Sequence, residues 1–184
     1  MVFPLYDDNS DRQTTPYVNY ALIALNIFVF VVLQGLGSND EFTYSFSTVP
    51  LEIVTGQDVV TANRVVEYAG QRVLVPGLGP TPLSVYLTLF TSMFMHGGIA
   101  HIGGNMLFLW IFGDNIEDRL GHVRYVLFYL VCGVVASMAH VITTYVFSGG
   151  DGASMLVPSL GASGAISGVL GGYILLHPSR RVTV

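Results

Sequence analysis

Long apolar runs without charged residues constrain the fold of this chain more than any other feature of its sequence. The first extends from Tyr17 to Leu36, about the 20 residues that a membrane-crossing helix requires. Its only polar interruptions are Asn19, Asn26 and Gln34. A second run, Tyr125 to Phe147, contains no acid and no arginine. Charged residues make up 10% of the chain, whereas soluble domains contain roughly 25%. The sequence therefore predicts an all-α protein that crosses a membrane several times.

The composition also excludes several classes of function. The seven basic residues are all arginines and the net charge is −5, so we expect no nucleic-acid partner. Cys132 is the only cysteine, which excludes an internal disulfide and a metal site built on thiolates. We expect neither a metal nor a cofactor. The acidic stretch Met1 to Pro16 resembles neither a signal peptide nor an arginine-rich transit sequence, so the first apolar helix is expected to be retained.

Between the first and second predicted helices lies a long mixed segment. Residues 37–82 contain acids, arginines, glycines and prolines, and we interpret them as an extramembrane loop. The run Arg72 to Val75 resembles a strand, but no pattern indicates a separate domain. Leu83 to Met95 is apolar yet spans only about 20 Å as a helix, so it is expected to lie within or along the membrane interface.

Three more helices follow in the prediction. Helix two begins near Ala100 and continues through Phe112, and helix three covers Tyr125 to Phe147. The charged segment Gly113 to Arg124 is predicted to be a connector outside the hydrocarbon. Helix four runs from Ser163 to His177 and is stopped by the proline that follows.

Arginine placement predicts the orientation. If four helices alternate, five of the seven arginines share one side, which should be cytoplasmic: Arg12, Arg119, Arg124, Arg180 and Arg181. Residues 1–16 then form a cytoplasmic tail, and residues 17–184 form the membrane domain. The predicted location is a bacterial inner membrane. The starts of helices two and four meet near the outer leaflet.

The stretch Leu160 to Gly168 contains a serine, Ser163, at a predicted helix start. Gly164, Gly168 and Gly172 recur every four residues, so the helix presents a flat glycine face for close packing of a second helix. Unpaired backbone N–H groups at a helix start can stabilise a developing negative charge. The simpler alternative is that Ser163 is an N-cap of a glycine-packed membrane helix.

His101 and Asn105 supply the other polar groups of this candidate site. They are four residues apart and therefore share one face of helix two. Polar side chains in membrane helices usually face protein or water. A serine at a helix start with a histidine and an asparagine on a facing helix is typical of an acyl-transfer site.

Three motifs in this order resemble a known family. HGGIAHIGGNM, EDRLG and PSLGASGAISGVLGGY are similar to motifs of the rhomboid intramembrane serine proteases, and YVNYALIALNIFVF resembles the first core helix of that family. The resemblance runs from Tyr17 to the end of the chain. It implies a rhomboid-like helix bundle in which this chain supplies the first four helices of a six-helix core.

The resemblance also implies roles for individual residues. Ser163 would be the nucleophile, and His101, Asn105 and the Ser163 backbone N–H would form the oxyanion hole. His96, Gly161 and Gly164 would support the site, although His96 is also compatible with an ordinary interfacial histidine. The implied reaction is hydrolysis of peptide bonds in or near transmembrane segments of membrane-protein substrates.

The family's general base is a histidine on the sixth core helix, and the chain contains no such helix. His122 and His177 are predicted at the opposite side of the membrane from Ser163, and His140 is predicted to be a structural residue facing the bundle. Ser167 occupies a position that is often aromatic in the family. We therefore expect the 184 residues to be inactive alone, and we expect the missing C-terminal helices of the same core to be partners, beside transmembrane substrates and the lipid bilayer.

Two other functions remain open at this point. The chain could be a catalytically inactive rhomboid-like protein that binds transmembrane helices, but such a protein has no need of an oxyanion hole. It could also be a channel or transporter subunit, with Asn26, His101 and Asn105 marking a pathway. No acid or arginine interrupts a predicted helix core, which disfavours the second alternative.

Overall fold

The computed structural model describes residues 6–7, 12–68, 70–147, 152–180 and 182–183. The fold is mostly helical. The helices are α1 (Tyr17–Phe28, continued by a π-helical turn, Val29–Leu33), α2 (Asp40–Ser45), α3 (Pro50–Thr55), α4 (Thr88–Thr91), α5 (Ile99–Leu120), α6 (His122–Phe147), α7 (Gly152–Met155) and α8 (Ser163–Leu176). Two 3₁₀ turns, Val85–Leu87 and Ser92–Phe94, flank α4. The strands are β1 (Tyr6–Asp7), β2 (Arg64–Tyr68), β3 (Gln71–Val75) and β4 (Val182–Thr183).

The hydrophobic core lies among α1, α5, α6 and α8. Helix α8 packs against both α5 and α6, and α1 packs on α5. The completely buried side chains at the centre are Leu109, Ile116, Tyr125, Tyr129 and Val169. Because α8 contacts two other long helices, its first residue is held firmly relative to α5.

The glycine face of α8 is filled by α6. A Cβ added at Gly164 would come within 2.5 Å of the Ala136 Cβ, and one added at Gly168 within 2.5 Å of the Cys132 Sγ. A helix of this chain therefore supplies the close packing that the glycine spacing predicts.

The segment Gly113 to Arg124 is not the solvated connector that its charges predict. Helix α5 continues through Leu120, and Gly121, with φ of 78°, makes the turn into α6. Asp114, Asn115 and Glu117 are buried in the protein. The two carboxylates are accommodated because the N-terminal part of the chain pairs with them. Arg12 pairs with Asp114 over 2.9 Å, and the Val18 and Asn19 N–H groups donate to Glu117.

Residues 37–82 form two short helices, α2 and α3, and a hairpin. Strands β2 and β3 pair in antiparallel fashion, and the predicted strand-like run Arg72 to Val75 lies within β3. The apolar segment that follows forms α4 and its flanking 3₁₀ turns instead of one continuous helix. An isolated bridge joins Thr48 to Ser159, which ties this segment to the approach to α8.

One helix within the described residues, His122–Phe147, is long and apolar enough by itself to cross a membrane. Tyr17–Leu33 and Ser163–Leu176 are apolar but shorter. The N-terminal segment, predicted as a tail, is joined to the other end of the chain because β1 pairs with β4. Asp7 is buried there and accepts hydrogen bonds from Asn115 and Tyr173.

Candidate active site

Ser163 is the first residue of α8, and the backbone that leads to it is fixed on two sides. Ser159 exchanges two backbone hydrogen bonds with Thr48, of 3.0 and 2.8 Å. The Gly161 N–H donates to the Ser92 carbonyl over 2.8 Å. The Ser163 side chain is therefore presented from an anchored turn.

Gly161 permits the closest contact in the site. Its φ is 121°, a backbone conformation that residues with a side chain rarely adopt. A Cβ added there would lie 2.7 Å from the His101 Cε1 and 3.2 Å from the Ser163 Oγ. Only a glycine leaves room for the histidine ring beside the serine.

The Ser163 hydroxyl faces His101. Its Oγ lies 3.3 Å from the His101 Nε2 and is exposed at the surface of the protein. Ala162, not Ser163, occupies the N-cap position of α8. The N-cap interpretation of the serine is therefore wrong, and its hydroxyl is available for another role.

The hydrogen bond of the other ring nitrogen determines what His101 can do to that hydroxyl. The Gly97 N–H donates to the His101 Nδ1 over 3.4 Å. A neutral imidazole has one ring proton, so a nitrogen that accepts leaves the proton on the other nitrogen. This contact favours the tautomer that carries its proton on Nε2, the nitrogen that lies beside Ser163. In this arrangement His101 is a hydrogen-bond donor and not a base.

Asn105 lies one turn along α5 from His101 and contacts His96 instead of Ser163. Its Nδ2 lies 3.0 Å from the His96 Nε2. An amide nitrogen only donates, so the His96 ring accepts. Asn105 is 8% exposed and keeps a second amide N–H for another acceptor.

His96 is completely buried in the loop before α5. Burial, with a smaller effect from the neighbouring His101, lowers its pKa from 6.5 to about 4. The ring is therefore neutral at physiological pH, as its role as an acceptor from Asn105 requires. The centroid of the His96 ring lies 5.2 Å from that of His101, so the two histidines pack edge to face.

Among the described residues, a groove and a smaller cavity open on Ser163. A groove of about 380 Å³ lies between α5 and α8 and is lined by Ala100, His101, Gly104, Asn105, Phe108, Ser163, Ile166, Ser167 and Leu170. A smaller cavity of about 170 Å³ lies between α6 and α8, with Ser163, Ser137 and His140 in its lining. His140 is exposed on α6, so it is not buried within the bundle.

The remaining predicted residues lie where they cannot act on the serine. The His122 Nδ1 lies 2.5 Å from the buried Glu117 carboxylate near the start of α6. The His177 ring lies against Tyr173 at the far end of α8, with centroids 5.4 Å apart. The Ser167 hydroxyl donates to the Ser163 carbonyl over 2.7 Å.

Two residues of the candidate active site, Gln34 and Gly97, were not predicted from the sequence. Gln34 is buried beside His96, and Gly97 donates to His101. Gln34 interrupts an apolar run, and a polar side chain in such a run usually has a function in the protein interior. No signal in the sequence distinguishes Gly97 from the glycines around it.

Fold and site together define a helical protein with a glycine-framed serine at the start of α8 and a histidine in the first turn of α5. A family model of the Rhomboid domain matches residues 84–184. Rhomboid protease GluP of Bacillus subtilis is 40% identical over 168 residues, which cover 90% of this chain and 26% of the relative. The chain belongs to the rhomboid family, a family of membrane proteins that includes intramembrane serine proteases.

Other relatives come from mitochondria. Presenilin-associated rhomboid-like protein A of Danio rerio is 34% identical over 118 residues, covering 63% of this chain and 29% of the relative. Rhomboid protein 1 of Saccharomyces cerevisiae is 31% identical over 96 residues, covering 52% of this chain and 27% of the relative. The chain spans between a quarter and a third of the length of these proteins. No solved structure matches it.

Proposed function

We propose that this protein is an intramembrane serine endopeptidase that hydrolyses peptide bonds in or near transmembrane segments of other membrane proteins. The nucleophile is Ser163. His101, Asn105 and the Ser163 backbone N–H form the oxyanion hole. The observation that carries the proposal is the 3.3 Å contact between Ser163 Oγ and the His101 Nε2.

This geometry supports the following reaction. A base removes the Ser163 Oγ proton, Oγ bonds to the substrate carbonyl carbon, and the carbonyl oxygen becomes an oxyanion. Collapse of this intermediate breaks the C–N bond, and the leaving amine takes the proton from the base. Water then hydrolyses the acyl-enzyme and returns the proton to Oγ.

His101 and Asn105 act on the oxyanion. The Nε2–H of His101 is directed at Ser163, and the second amide N–H of Asn105 is free to face the space beside it. Such a donor contributes a factor of about 10² to 10³ in rate. The second N–H of Asn105 is essential to this role because its first is used by His96.

His101 does not serve as the base in this arrangement. His101 already directs its Nε2 proton at the serine, so it cannot receive one there. We propose that further helices of the same core supply a histidine. The competing candidate is His140, because it shares a cavity with Ser163.

The membrane arrangement completes the proposal. Four helices, α1, α5, α6 and α8, cross a bacterial inner membrane with the N-terminus in the cytoplasm. Exposed apolar side chains on three of them suit contact with lipid, and they include Ile27, Phe28, Val31, Val135, Ile142 and Leu175. Reporter fusions at positions 10 and 60 should lie in opposite compartments, and a shared compartment would contradict this arrangement.

The length of α8 supports a position of the serine beneath the membrane surface. Its 14 residues span about 21 Å. The hydrocarbon core is about 30 Å thick, so with its C-terminal end at the cytoplasmic surface, Ser163 lies about 9 Å below the outer one. The groove between α5 and α8 leads to it and has the apolar lining that a transmembrane substrate requires.

The test is labelling by a fluorophosphonate probe. The protein at its natural length should be labelled, and Ser163→Ala should abolish the labelling, whereas Ser167→Ala, which changes the next hydroxyl along α8, should retain it. The 184-residue chain alone should not react. Labelling of that chain at Ser163, lost in His140→Ala, would assign the base to His140. An unlabelled natural-length protein that still binds transmembrane helices would be an inactive rhomboid-like binding protein.

A further inference from the structure

The side-chain amide of Gln34 binds the backbone N–H and the backbone carbonyl of His96. Its Oε1 accepts from the His96 N–H over 2.9 Å, and its Nε2 donates to the His96 carbonyl over 2.9 Å. The same Nε2 donates to the Thr43 Oγ1 over 3.0 Å. Gln34 and His96 are both completely buried, so water cannot replace these contacts.

The first consequence concerns His101. The His96 carbonyl and the Gly97 N–H belong to one planar peptide unit, so fixing the carbonyl also fixes the direction of the N–H. That N–H donates to the His101 Nδ1. By holding this peptide, Gln34 determines which ring nitrogen of His101 carries the proton.

The second consequence concerns Asn105. Both backbone polar atoms of His96 are held, so the position of its ring is restricted. That ring accepts one N–H of the Asn105 amide over 3.0 Å and thereby orients the other. Gln34 therefore affects both side chains of the proposed oxyanion hole, His101 and Asn105, through its hydrogen bonds to His96.

We propose that Gln34 is a positioning residue of the active site, which keeps the proton of His101 on Nε2 and orients the Asn105 amide. This inference rests on the proposed function, because positioning matters only if these two groups act on an oxyanion.

Asn26 is a second buried amide side chain of the first apolar run, but it does not bind a distant segment of the chain. It is also completely buried, but its Nδ2 donates to the Leu22 carbonyl within α1, over 2.8 Å. Gln34 instead uses its amide for a segment 62 residues away. Asn26 is therefore the matched control.

The direct test is ¹⁵N NMR of histidine-labelled chain, with His101 assigned by the signal lost in His101→Gln. In the native chain and in Asn26→Leu, His101 should be protonated on Nε2. Gln34→Met retains the length of the side chain without its hydrogen bonds, and it should shift His101 toward the mixture of tautomers of a free histidine. An unchanged Nε2–H form in Gln34→Met would overturn the proposal.

The second test measures peptide hydrolysis by the protein at its natural length. Small displacements of catalytic groups cost up to about 100-fold in rate, so Gln34→Met should lower kcat by about 10- to 100-fold with little change in KM. Thr43→Val removes one hydrogen bond of Gln34 and should have a smaller effect in the same direction. It serves in place of Gln34→Met if that variant does not fold.

The two tests separate this inference from the function on which it rests. Hydrolysis that persists in Ser163→Ala would refute the proposed function, while the NMR result would still decide whether Gln34 fixes the tautomer. If Ser163 is required but Gln34→Met has the same kcat as Asn26→Leu, the positioning role fails and the proposed function stands.

Discussion

The two ends of α5 both bury polar side chains, but they use them differently. We call His96, His101, Asn105 and Ser163 the site cluster. The anchor cluster lies at the other end and comprises Asp7, Asn19, Asp114, Asn115, Glu117, Tyr125 and Tyr173. In the anchor cluster, hydrogen bonds join distant parts of the chain. The Tyr125 hydroxyl donates to Asn19, and the Asn19 amide donates to the Leu109 carbonyl.

The site cluster keeps hydrogen-bonding capacity unused. Ser163 is exposed, Asn105 has a second N–H, and the His96 Nδ1 has no hydrogen-bond partner among the described residues. Unpaired polar atoms cost stability, so their presence next to an exposed serine is typical of a site that binds a reacting group. The anchor cluster stabilises the fold, and the site cluster retains the donors that catalysis uses.

The largest effect on stability is expected at Glu117. This buried carboxylate accepts from the Val18 N–H over 2.9 Å and the Asn19 N–H over 2.6 Å, at the start of α1. Glu117→Leu leaves both donors buried without an acceptor, which should cost about 2–6 kcal/mol at about 1–3 kcal/mol each. Thermal unfolding in detergent measures the loss. Glu67→Leu, on the exposed hairpin, is the control, and a loss below about 1 kcal/mol for Glu117→Leu would remove the distinction between the clusters.

Replacing His101 or Asn105 should affect the rate of hydrolysis more than the stability of the fold. Replacing either with alanine in the natural-length protein should lower peptide hydrolysis by about 10- to 1,000-fold, because one oxyanion donor is lost. The free energy of unfolding should change by less than about 1 kcal/mol in His101→Ala. In Asn105→Ala it should fall by about 1–3 kcal/mol, because the buried His96 Nε2 loses its donor. A large loss of folded protein would instead assign these residues to the fold, as in the anchor cluster.

Replacing Gly161 should lower both the stability of the fold and the rate of hydrolysis. Gly161→Ala places a methyl group against the His101 ring and imposes an unfavourable φ. It should cost about 1–3 kcal/mol of stability and about 10-fold in hydrolysis. Gly103→Ala is the matched control, since a Cβ at that exposed helical position has no neighbour within 4 Å. Equal rates for the two variants would show that the contact between His101 and Ser163 is not needed.

The smallest effect is the pH dependence from His96. Its pKa is lowered to about 4 in the folded chain, so the unfolded chain binds its proton more readily below pH 6.5. Its contribution to stability is therefore complete above pH 6.5 and is lost as the pH falls toward 4. The slope should be at most about 1.4 kcal/mol per pH unit. Unfolding curves of the native chain and His96→Gln should converge at low pH, and parallel curves would contradict the neutral state of the ring.

The positions of the helices were largely predictable. Helix α8 begins at Ser163 as predicted, α5 begins within one residue of Ala100, and α6 ends at Phe147. Local signals are sufficient here, because apolar length, glycine spacing and a following proline act within a few residues of the helix that they define.

The prediction that Gly113 to Arg124 is a solvated connector was wrong because the partners of its charged side chains are distant in sequence. A run with five charged side chains indicates a solvated connector when it is considered alone. Its partners, such as Arg12 and the N–H groups at the start of α1, lie about a hundred residues earlier in the chain. No local pattern reveals them.

The sequence by itself determined the chemistry that is available: apolar helices, a serine at a helix start, and a histidine and an asparagine one turn apart. The tertiary structure decided how these groups are used. It brought the His101 ring to Ser163 through the missing side chain of Gly161, set the ring proton through Gly97, and joined Gln34 to His96. The physical reason is that helix formation depends on neighbours in sequence, whereas a hydrogen bond between side chains depends on distances that only the packed helices fix.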